Sequence, residues 1–310
     1  MAPPARSLTD DPLWPRAGSW PAHQGTADAV LLGVPTWRTS LSPTGAHATP
    51  AAIREALPRY GATLLGPPII DLNEQLRITD AGDVSEPDGD AGEATVIQRV
   101  RELSGGAELV IALGGDNSLT YPVALGARAT GLITIDAHFD LRDGVSNGTP
   151  VRRLVQDTPA ASALETMRID PRRIVQIGIA DFANSAFYAQ RAAEWGIRVI
   201  TLDEVRRRGV ADVVVEALEI AGAGPDPRVH LDVDVDVCDR SVAPGCPASV
   251  PGGLQAAELR ALTRAVASDA RVVSADLAEV DATADTEDAR TVRLAALCVL
   301  ELLAGLAARR

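Results

Sequence analysis

Three aspartates occupy alternate positions in the apolar segment VHLDVDVDV, which spans residues 229 to 237. They are Asp232, Asp234 and Asp236, and side chains with this spacing lie on one face of an extended strand. Two carboxylates 4 Å apart repel each other by roughly 4 kcal/mol at an effective dielectric near 20. Carboxylates grouped at a half-buried strand end therefore need bound cations or shifted pKa values.

A second segment, IDAHFD at 135–140, repeats the spacing with Asp136, His138 and Asp140. Two further apolar runs lead into polar residues, one into Asn117 and the other into Glu279. Ligands of parallel α/β sheets gather at the carboxyl ends of the strands. Oxygen-rich ligation with one imidazole suits manganese better than a thiolate-preferring metal. These residues predict a divalent-metal site at one edge of a sheet.

Short Val/Ile/Leu runs alternate with Ala-rich helical patterns along the chain, which is typical of a parallel sheet with helices on both faces. The strand candidates are 29–35, 68–72, 108–115, 132–136, 174–179, 198–202, 229–235 and 272–280. No linker divides the chain, so residues 26–310 are expected to form a single α/β domain. The Pro-rich residues 1–25 are expected to form a loosely attached N-terminal arm.

The composition limits the partners of this chain. The formal net charge of −13 disfavours nucleic acids and anionic membranes, which the field of the protein would repel. The longest apolar stretch, residues 294–307, is too short for a membrane span. Three cysteines in a chain without a secretory leader favour a cytoplasmic location. Small molecules and cations are the expected partners.

The segments GGDNS, DAHFD, DVDVCDRSVAPG and EVD stand in the order of the motifs of the ureohydrolase family, which includes arginase, agmatinase and formimidoylglutamase. The resemblance covers about residues 30 to 305. It implies an arginase-like three-layer α/β/α fold with an eight-stranded, mostly parallel sheet. It also implies two manganese ions bridged by hydroxide, and a homo-oligomer.

The resemblance also assigns roles to single residues. Asp136 and Asp234 correspond to carboxylates that bridge both metals, and Glu279 to a residue that binds the amidinium nitrogens of the substrate. The first metal would be held further by Asp140, which also relays a proton, and by Asn117; the second would be held by His138 and Asp236. Asp232 falls where most members have Ser, outside the metal shell, and its alternative is a solvated or capping residue.

Two departures from the family pattern narrow the prediction. Most members have His where this chain has Asn117, and a neutral amide is a weaker ligand than imidazole, so the first site is expected to be weakened. Arginases and agmatinases place a proton-transferring His where Asn147 stands, and Asn cannot replace it. The segment DAHFDLR followed by SNGTP most resembles the formimidoylglutamase branch, which lacks that His. Its reaction converts N-formimidoyl-L-glutamate to L-glutamate and formamide, and an amidine needs less acid assistance than guanidinium.

Cationic side chains are expected to bind the substrate carboxylates. The candidates are Arg142, Arg152 and Arg153, and Asn147 is a candidate hydrogen-bonding residue. Two alternatives stay open from the sequence. One is an agmatinase or guanidino-acid hydrolase that releases urea, and the other is a metal-binding relative that has lost catalysis.

Overall fold

The computed structural model describes residues 11–143, 149–156 and 169–310. Its strands are β1 (Ala27–Val34), β2 (Thr63–Leu64), β3 (Ile70–Asp71), β4 (Ile78–Asp83), β5 (Ala107–Gly114), β6 (Gly131–Ile135), β7 (Ile174–Ile179), β8 (Arg198–Thr201), β9 (Val229–Asp234) and β10 (Val272–Ala278). Eight of them form one sheet in the order β4-β1-β5-β10-β9-β6-β7-β8. All neighbours in that sheet are parallel. The predicted eight-stranded α/β fold is confirmed.

Helices cover both faces of this sheet. They are α1 (Thr49–Ala56), α2 (Leu72–Gln75), α3 (Gly89–Ser104), α4 (Thr120–Gly126), α5 (Pro150–Gln156), α6 (Ala186–Trp195), α7 (Leu202–Arg208), α8 (Val210–Ala221), α9 (Ala256–Ala267) and α10 (Arg290–Ala307). One face packs against α1, α8, α9 and α10, and the other against α3, α4, α5 and α6. The structure therefore has three layers, as the resemblance implies.

One strand of the central sheet differs from the prediction. Residues 70–71 pair only with 63–64, in a separate two-stranded antiparallel sheet. The eighth strand of the central sheet is β4, which lies at an edge beside β1. Apolar and polar residues do not alternate regularly in its sequence ITDAGD, because most of its side chains are half-buried or exposed. Edge strands carry less of the apolar pattern from which buried strands are recognised.

The described part of the N-terminal segment, residues 11–25, contacts the domain at several points. Ala17 is buried, and its N–H donates to the carbonyl of Tyr60 at 3.0 Å. The Trp20 indole N–H donates to Asn73 Oδ1 at 3.0 Å. Residues 22 and 23 pair with the backbone of Asp80 on β4. These contacts hold residues 17–23 against the domain, although the sequence predicts a loose arm.

The C-terminal helix α10 closes one face of the sheet with an almost wholly buried surface. Its single acid, Glu301, is buried and accepts hydrogen bonds from Arg260 Nε at 2.8 Å and Arg264 Nε at 2.5 Å. These two guanidinium groups neutralise the carboxylate and fasten α10 to α9. Within the described residues, no helix combines the length and hydropathy needed to cross a membrane.

Candidate active site

Four neighbouring strands bring polar residues to one edge of the sheet. β5, β10, β9 and β6 are adjacent in the sheet order. Their carboxyl ends lead to Asn117, Glu279, Asp234 and Asp136 in turn. The side chains gather because parallel strands end together, which is the geometry that the sequence predicts.

Tight turns, rather than extended strands, place the residues that follow Asp136 and Asp234. The Asp136 carboxylate accepts from the His138 N–H at 2.6 Å, and the Asp234 carboxylate accepts from the Asp236 N–H at 2.9 Å. β9 ends at Asp234, and residues 235–237 form a single 3₁₀ turn. Asp140 has a φ of +50°. The period-two argument assumes extended backbone at these residues, whereas Asx-type hydrogen bonds turn the chain after Asp136 and after Asp234.

Asp136, His138 and Asp236 form the one group of potential metal ligands found among the described residues. Their ligand atoms all lie within 4.8 Å of one another. His138 Nδ1 lies 3.0 Å from Asp236 Oδ2 and 3.6 Å from Asp136 Oδ1. Asp136 Oδ2 and Asp236 Oδ1 are buried without a hydrogen-bond partner in the described part of the chain. Unsatisfied carboxylate oxygens beside an imidazole fit a divalent cation such as Mn²⁺.

The carboxylates perturb one another strongly. Burial raises the pKa of Asp136 to about 6, although His138 opposes the shift. Burial alone would lower the pKa of His138, but Asp236 and Asp136 raise it to about 12. Burial, followed by Asp236 and Asp136, raises the pKa of Asp234 well above its ordinary value. Without a metal, the site therefore reduces its charge repulsion by binding protons.

Asp140 and Glu279 face the same space with raised pKa values. Burial and the nearby Asp136 raise the pKa of Asp140 to about 8. Burial and Asp236 raise the pKa of Glu279 to about 8, and its Oε1 accepts from the Asn117 N–H at 2.9 Å. Both residues have a positive φ, +50° and +59°. Strained backbone at two acids of one cleft is a common feature of functional sites.

Asn117 is oriented as a hydrogen-bond donor towards the acids. Its Nδ2 donates to Asp140 Oδ2 at 2.8 Å and to Asp234 Oδ2 at 3.0 Å. Its Oδ1, the atom that could ligate a metal, accepts from Thr120 Oγ1 at 2.7 Å. A metal beside Asp140 and Asp234 would require this amide to rotate. The donor set thus fits a metal at the Asp136–His138–Asp236 group better than at the first site.

These residues open into a cavity of about 430 Å³. The loop at 39–42, the segment at 138–142 and the start of α6 form its walls, with Glu279, Asp234 and Asp236 at its base. Arg142 lies on the wall as an exposed side chain. Within the described residues it is the one guanidinium that lines this cavity.

The other predicted substrate-binding residues lie elsewhere. Arg153 is buried, with its guanidinium 2.7 and 2.9 Å from the two Glu93 oxygens and 3.7 Å from the Tyr121 ring centre. Arg152 Nε donates to Asp143 Oδ1 at 3.0 Å. Neither lines the cavity, and the bidentate pairing of Arg153 with Glu93 argues against a substrate-binding role for it. Asn147 lies outside the described residues.

Asp232 is neither solvated nor at the opposite edge of the sheet. It is fully buried on the central strand β9, opposite Thr134 on β6 and Asp276 on β10. Neither of its oxygens has a hydrogen-bond partner within the described chain. Burial and Asp276 raise its pKa well above the ordinary value, which favours a protonated, uncharged Asp232. On the same strand, His230 contacts Ser274 Oγ and Asp276 Oδ2 at 2.8 and 3.0 Å.

Sequence reasoning missed several residues around the cavity. Thr39 donates to Asp116 Oδ2 through both its N–H and its hydroxyl at 3.2 Å, which fixes the loop at 39–42. Asn184, Ser185 and Tyr188 line the cavity at the start of α6. Ser185 caps the start of α6 by accepting from the Tyr188 N–H, and a Ser before a helical pattern is a signal that could have drawn attention to this edge. The His47 ring lies 5.2 Å from the Trp37 ring, centre to centre, in a tilted arrangement.

Comparison with known proteins identifies the class to which this fold and site belong. A family model described as the Arginase family matches residues 27–305. The chain therefore belongs to the arginase family, as the motifs predict, and it is an enzyme of the hydrolase class.

Individual relatives refine this assignment. A formimidoylglutamase of Halalkalibacterium halodurans is 35% identical over 287 residues, which is 89% of this chain and 86% of that protein. The crystal structure of formimidoylglutamase from Bacillus subtilis superposes with a TM-score of 0.85 at 30% identity, covering 98% of this chain and 95% of the other. A Trypanosoma cruzi formiminoglutamase crystallised with Mn²⁺ gives a TM-score of 0.82 at 26% identity, covering 96% and 100%. The predicted likeness to formimidoylglutamases is confirmed.

Proposed function

We propose that this enzyme hydrolyses N-formimidoyl-L-glutamate to L-glutamate and formamide in a manganese-dependent reaction. The observation that carries the proposal is that the group of potential metal ligands contributes residues to the lining of the cavity. His138 and Asp236, two members of the Asp136–His138–Asp236 group, line a cavity that is also lined by Arg142 and Glu279. A cationic amidine with carboxylates at its other end is complementary to that distribution of charge.

Asp136, His138 and Asp236 would hold one manganese ion. Asp140, Asp234 and a rotated Asn117 would hold another ion more weakly at the adjacent first site. When bound, the ions supply a water-derived nucleophile near neutral pH by lowering the pKa of water. Two ions are expected from the family resemblance. The hydrogen bond between Asn117 and Thr120 supports unequal affinities for them.

The side chains of this protein would orient the substrate and move its protons. Glu279 would accept hydrogen bonds from the amidinium nitrogens and align the formimidoyl carbon. Arg142 would bind a substrate carboxylate at the mouth of the cavity. Asp140 would accept a proton from the attacking water and deliver it to the departing glutamate nitrogen. The C–N bond to that nitrogen breaks, and the water oxygen remains in formamide.

Amidine chemistry explains why the chain can lack a dedicated proton donor at position 147. Attack on guanidinium disrupts conjugation with three nitrogens, whereas attack on an amidine disrupts conjugation with two. A formimidoyl substrate therefore needs less acid assistance. Homo-oligomeric assembly and a cytoplasmic location remain predictions that accompany this proposal.

The test is a product analysis with four substrates. Manganese-loaded protein is incubated separately with N-formimidoyl-L-glutamate, agmatine, 4-guanidinobutyrate and arginine, and formamide and urea are quantified. We expect formamide from the first and no urea from the other three. Urea release would instead identify a guanidino hydrolase. No turnover of any substrate by protein that binds Mn²⁺ would favour a relative without catalytic activity.

Glu279→Gln is the matched variant for this assay. It keeps the shape of the side chain and its acceptor for the Asn117 N–H but removes the charge that faces the amidinium. We expect kcat/KM to fall by at least about 100-fold, since charged hydrogen bonds to the reacting group act in the transition state. Glu258→Gln on α9 is the control, because Glu258 only caps its own helix through the Gln255 N–H.

A further inference from the structure

The metal-ligand segment, residues 136–140, has no regular secondary structure although it carries His138 and Asp140. It leaves the sheet at the end of β6, and two backbone hydrogen bonds connect it to β7 and the residue that follows. The Asp136 N–H donates to the Ile177 carbonyl at 2.9 Å, and the Ala180 N–H donates to the Ala137 carbonyl at 3.0 Å. The sheet alone therefore does not fix the conformation of residues 138–140.

Asn184 binds this segment through both ends of its amide. Its Oδ1 accepts from the Phe139 N–H at 3.0 Å, and its Nδ2 donates to the Ala137 carbonyl at 2.8 Å. The same Nδ2 lies 3.3 Å from the Ala180 carbonyl. One side chain thus joins the peptide groups on both sides of His138.

Gln176 binds the same segment from within strand β7. It lies on β7, is fully buried, and donates from Nε2 to the Phe139 carbonyl at 2.9 Å. Together the two amides bind the N–H and the carbonyl of Phe139, the residue between His138 and Asp140. Both side chains come from β7 and the loop after it, not from the strands that supply the acids.

We infer that Asn184 and Gln176 are positioning residues that fix the backbone of residues 137–139, and thereby set the geometry of His138 for metal binding. This inference rests on the proposed metal centre. Groups that orient metal ligands commonly change metal affinity by about 10- to 100-fold when they are lost. Neither amide needs to contact the metal or the substrate to have this effect.

The test measures Mn²⁺ affinity in Asn184→Ala and Gln176→Leu. Titration calorimetry gives the dissociation constant, and the electron paramagnetic resonance spectrum of bound Mn²⁺ reports the ligand geometry. We expect each variant to bind Mn²⁺ about 10- to 100-fold more weakly than the wild type, with a broadened spectrum. The folded fraction is checked by circular dichroism at the temperature of the titration. Asn184 is only half-buried, so its variant serves if Gln176→Leu does not fold.

Matched controls come from the α2 region on the other side of the molecule. Asn73→Ala removes an amide that accepts from the Trp20 indole, and Gln75→Leu removes one that donates to the Ala307 carbonyl at 3.3 Å. We expect these controls to lower the melting temperature without changing the Mn²⁺ affinity.

The possible contrary results are distinguishable. Folded Asn184→Ala and Gln176→Leu with affinities and spectra like those of the wild type would overturn the positioning role and leave the metal centre standing. A wild-type protein that takes up no Mn²⁺ would overturn the proposed metal centre and the positioning role together.

Discussion

At the scale of single residues, the identity of Asn117 has the largest consequence for the site. A histidine there would offer a strong nitrogen ligand, whereas the amide donates to Asp140 and Asp234 and its oxygen is bound to Thr120. The amide N–H groups partly neutralise two carboxylates that a metal would otherwise neutralise. This arrangement supports the proposal that the metal beside Asp140 and Asp234 is held more weakly than the one at the Asp136–His138–Asp236 group.

Asn117→His should therefore strengthen Mn²⁺ binding at the first site, which lies beside Asp140 and Asp234. We expect affinity at the first position to rise by at least about tenfold, since imidazole is a better ligand for Mn²⁺ than an amide oxygen. Equilibrium dialysis at micromolar free Mn²⁺ should then find nearly two ions per chain in the variant and fewer in the wild type. An unchanged stoichiometry would show that Asn117 does not limit the first site, and Asn73→His controls for metal binding by an added histidine.

At the scale of elements, a network of ion pairs joins β8, α7 and α8 at the edge of the sheet remote from β4. Glu216 on α8 accepts from Arg198 Nε and from Arg208 Nη1, both at 2.5 Å. Glu204 on α7 pairs with the same two arginines. The hydrogen bonds of Arg198 and then Arg208 lower the pKa values of both carboxylates. The edge strand β8 is thereby connected to the two helices that follow it.

The network gives a stability that depends on pH. Because the folded pKa of Glu216 lies below its ordinary value, its contribution is complete above the unfolded pKa and is lost as the pH falls through the folded pKa. Glu216→Gln should cost about 1 kcal/mol of unfolding free energy at pH 7, and this difference should shrink towards zero once the pH has fallen below the folded pKa of Glu216. Urea unfolding at pH 7 and at successively lower pH values measures it. Glu219→Gln, an exposed change on the same helix, should have little effect at any of these pH values.

Prediction of the elements from sequence succeeded where burial produced long apolar runs. β5, β7 and β9 lie close to their predicted positions because their residues are almost all buried. The edge strand β4 was missed because its exposed side chains do not carry that pattern. Short helices such as α7 were missed because seven residues give too little periodicity to distinguish them from a loop.

At the scale of the whole molecule, the fold concentrates negative charge at one point. Four adjacent strands of a chain with a net charge of −13 deliver carboxylates to the same edge. Protonation or metal binding must compensate this repulsion in the folded state, whereas the unfolded chain separates the charges. Metal binding should thus be coupled to global stability.

Manganese should accordingly raise the melting temperature. At a free Mn²⁺ concentration about 100 times the dissociation constant, linkage gives roughly 2.7 kcal/mol, which corresponds to an increase of roughly 5 °C. Differential scanning fluorimetry with Mn²⁺ and then with excess EDTA measures the rise and its reversal. Asp236→Asn should abolish most of the shift. A wild-type melting temperature that is insensitive to Mn²⁺ would contradict the coupling.

The sequence by itself determined the class of fold, the four segments that carry the acids, and the family, because these follow from apolar periodicity and from residue types at fixed spacing. Only the tertiary structure decided how those residues are used. It directed Arg153 to Glu93 instead of the cavity, buried Asp232 on a central strand, and turned the amide of Asn117 towards two carboxylates. It also brought Asn184 and Gln176 to the metal-ligand segment. Such contacts join residues far apart in the chain, and their hydrogen-bonding geometry depends on packing that no local pattern records.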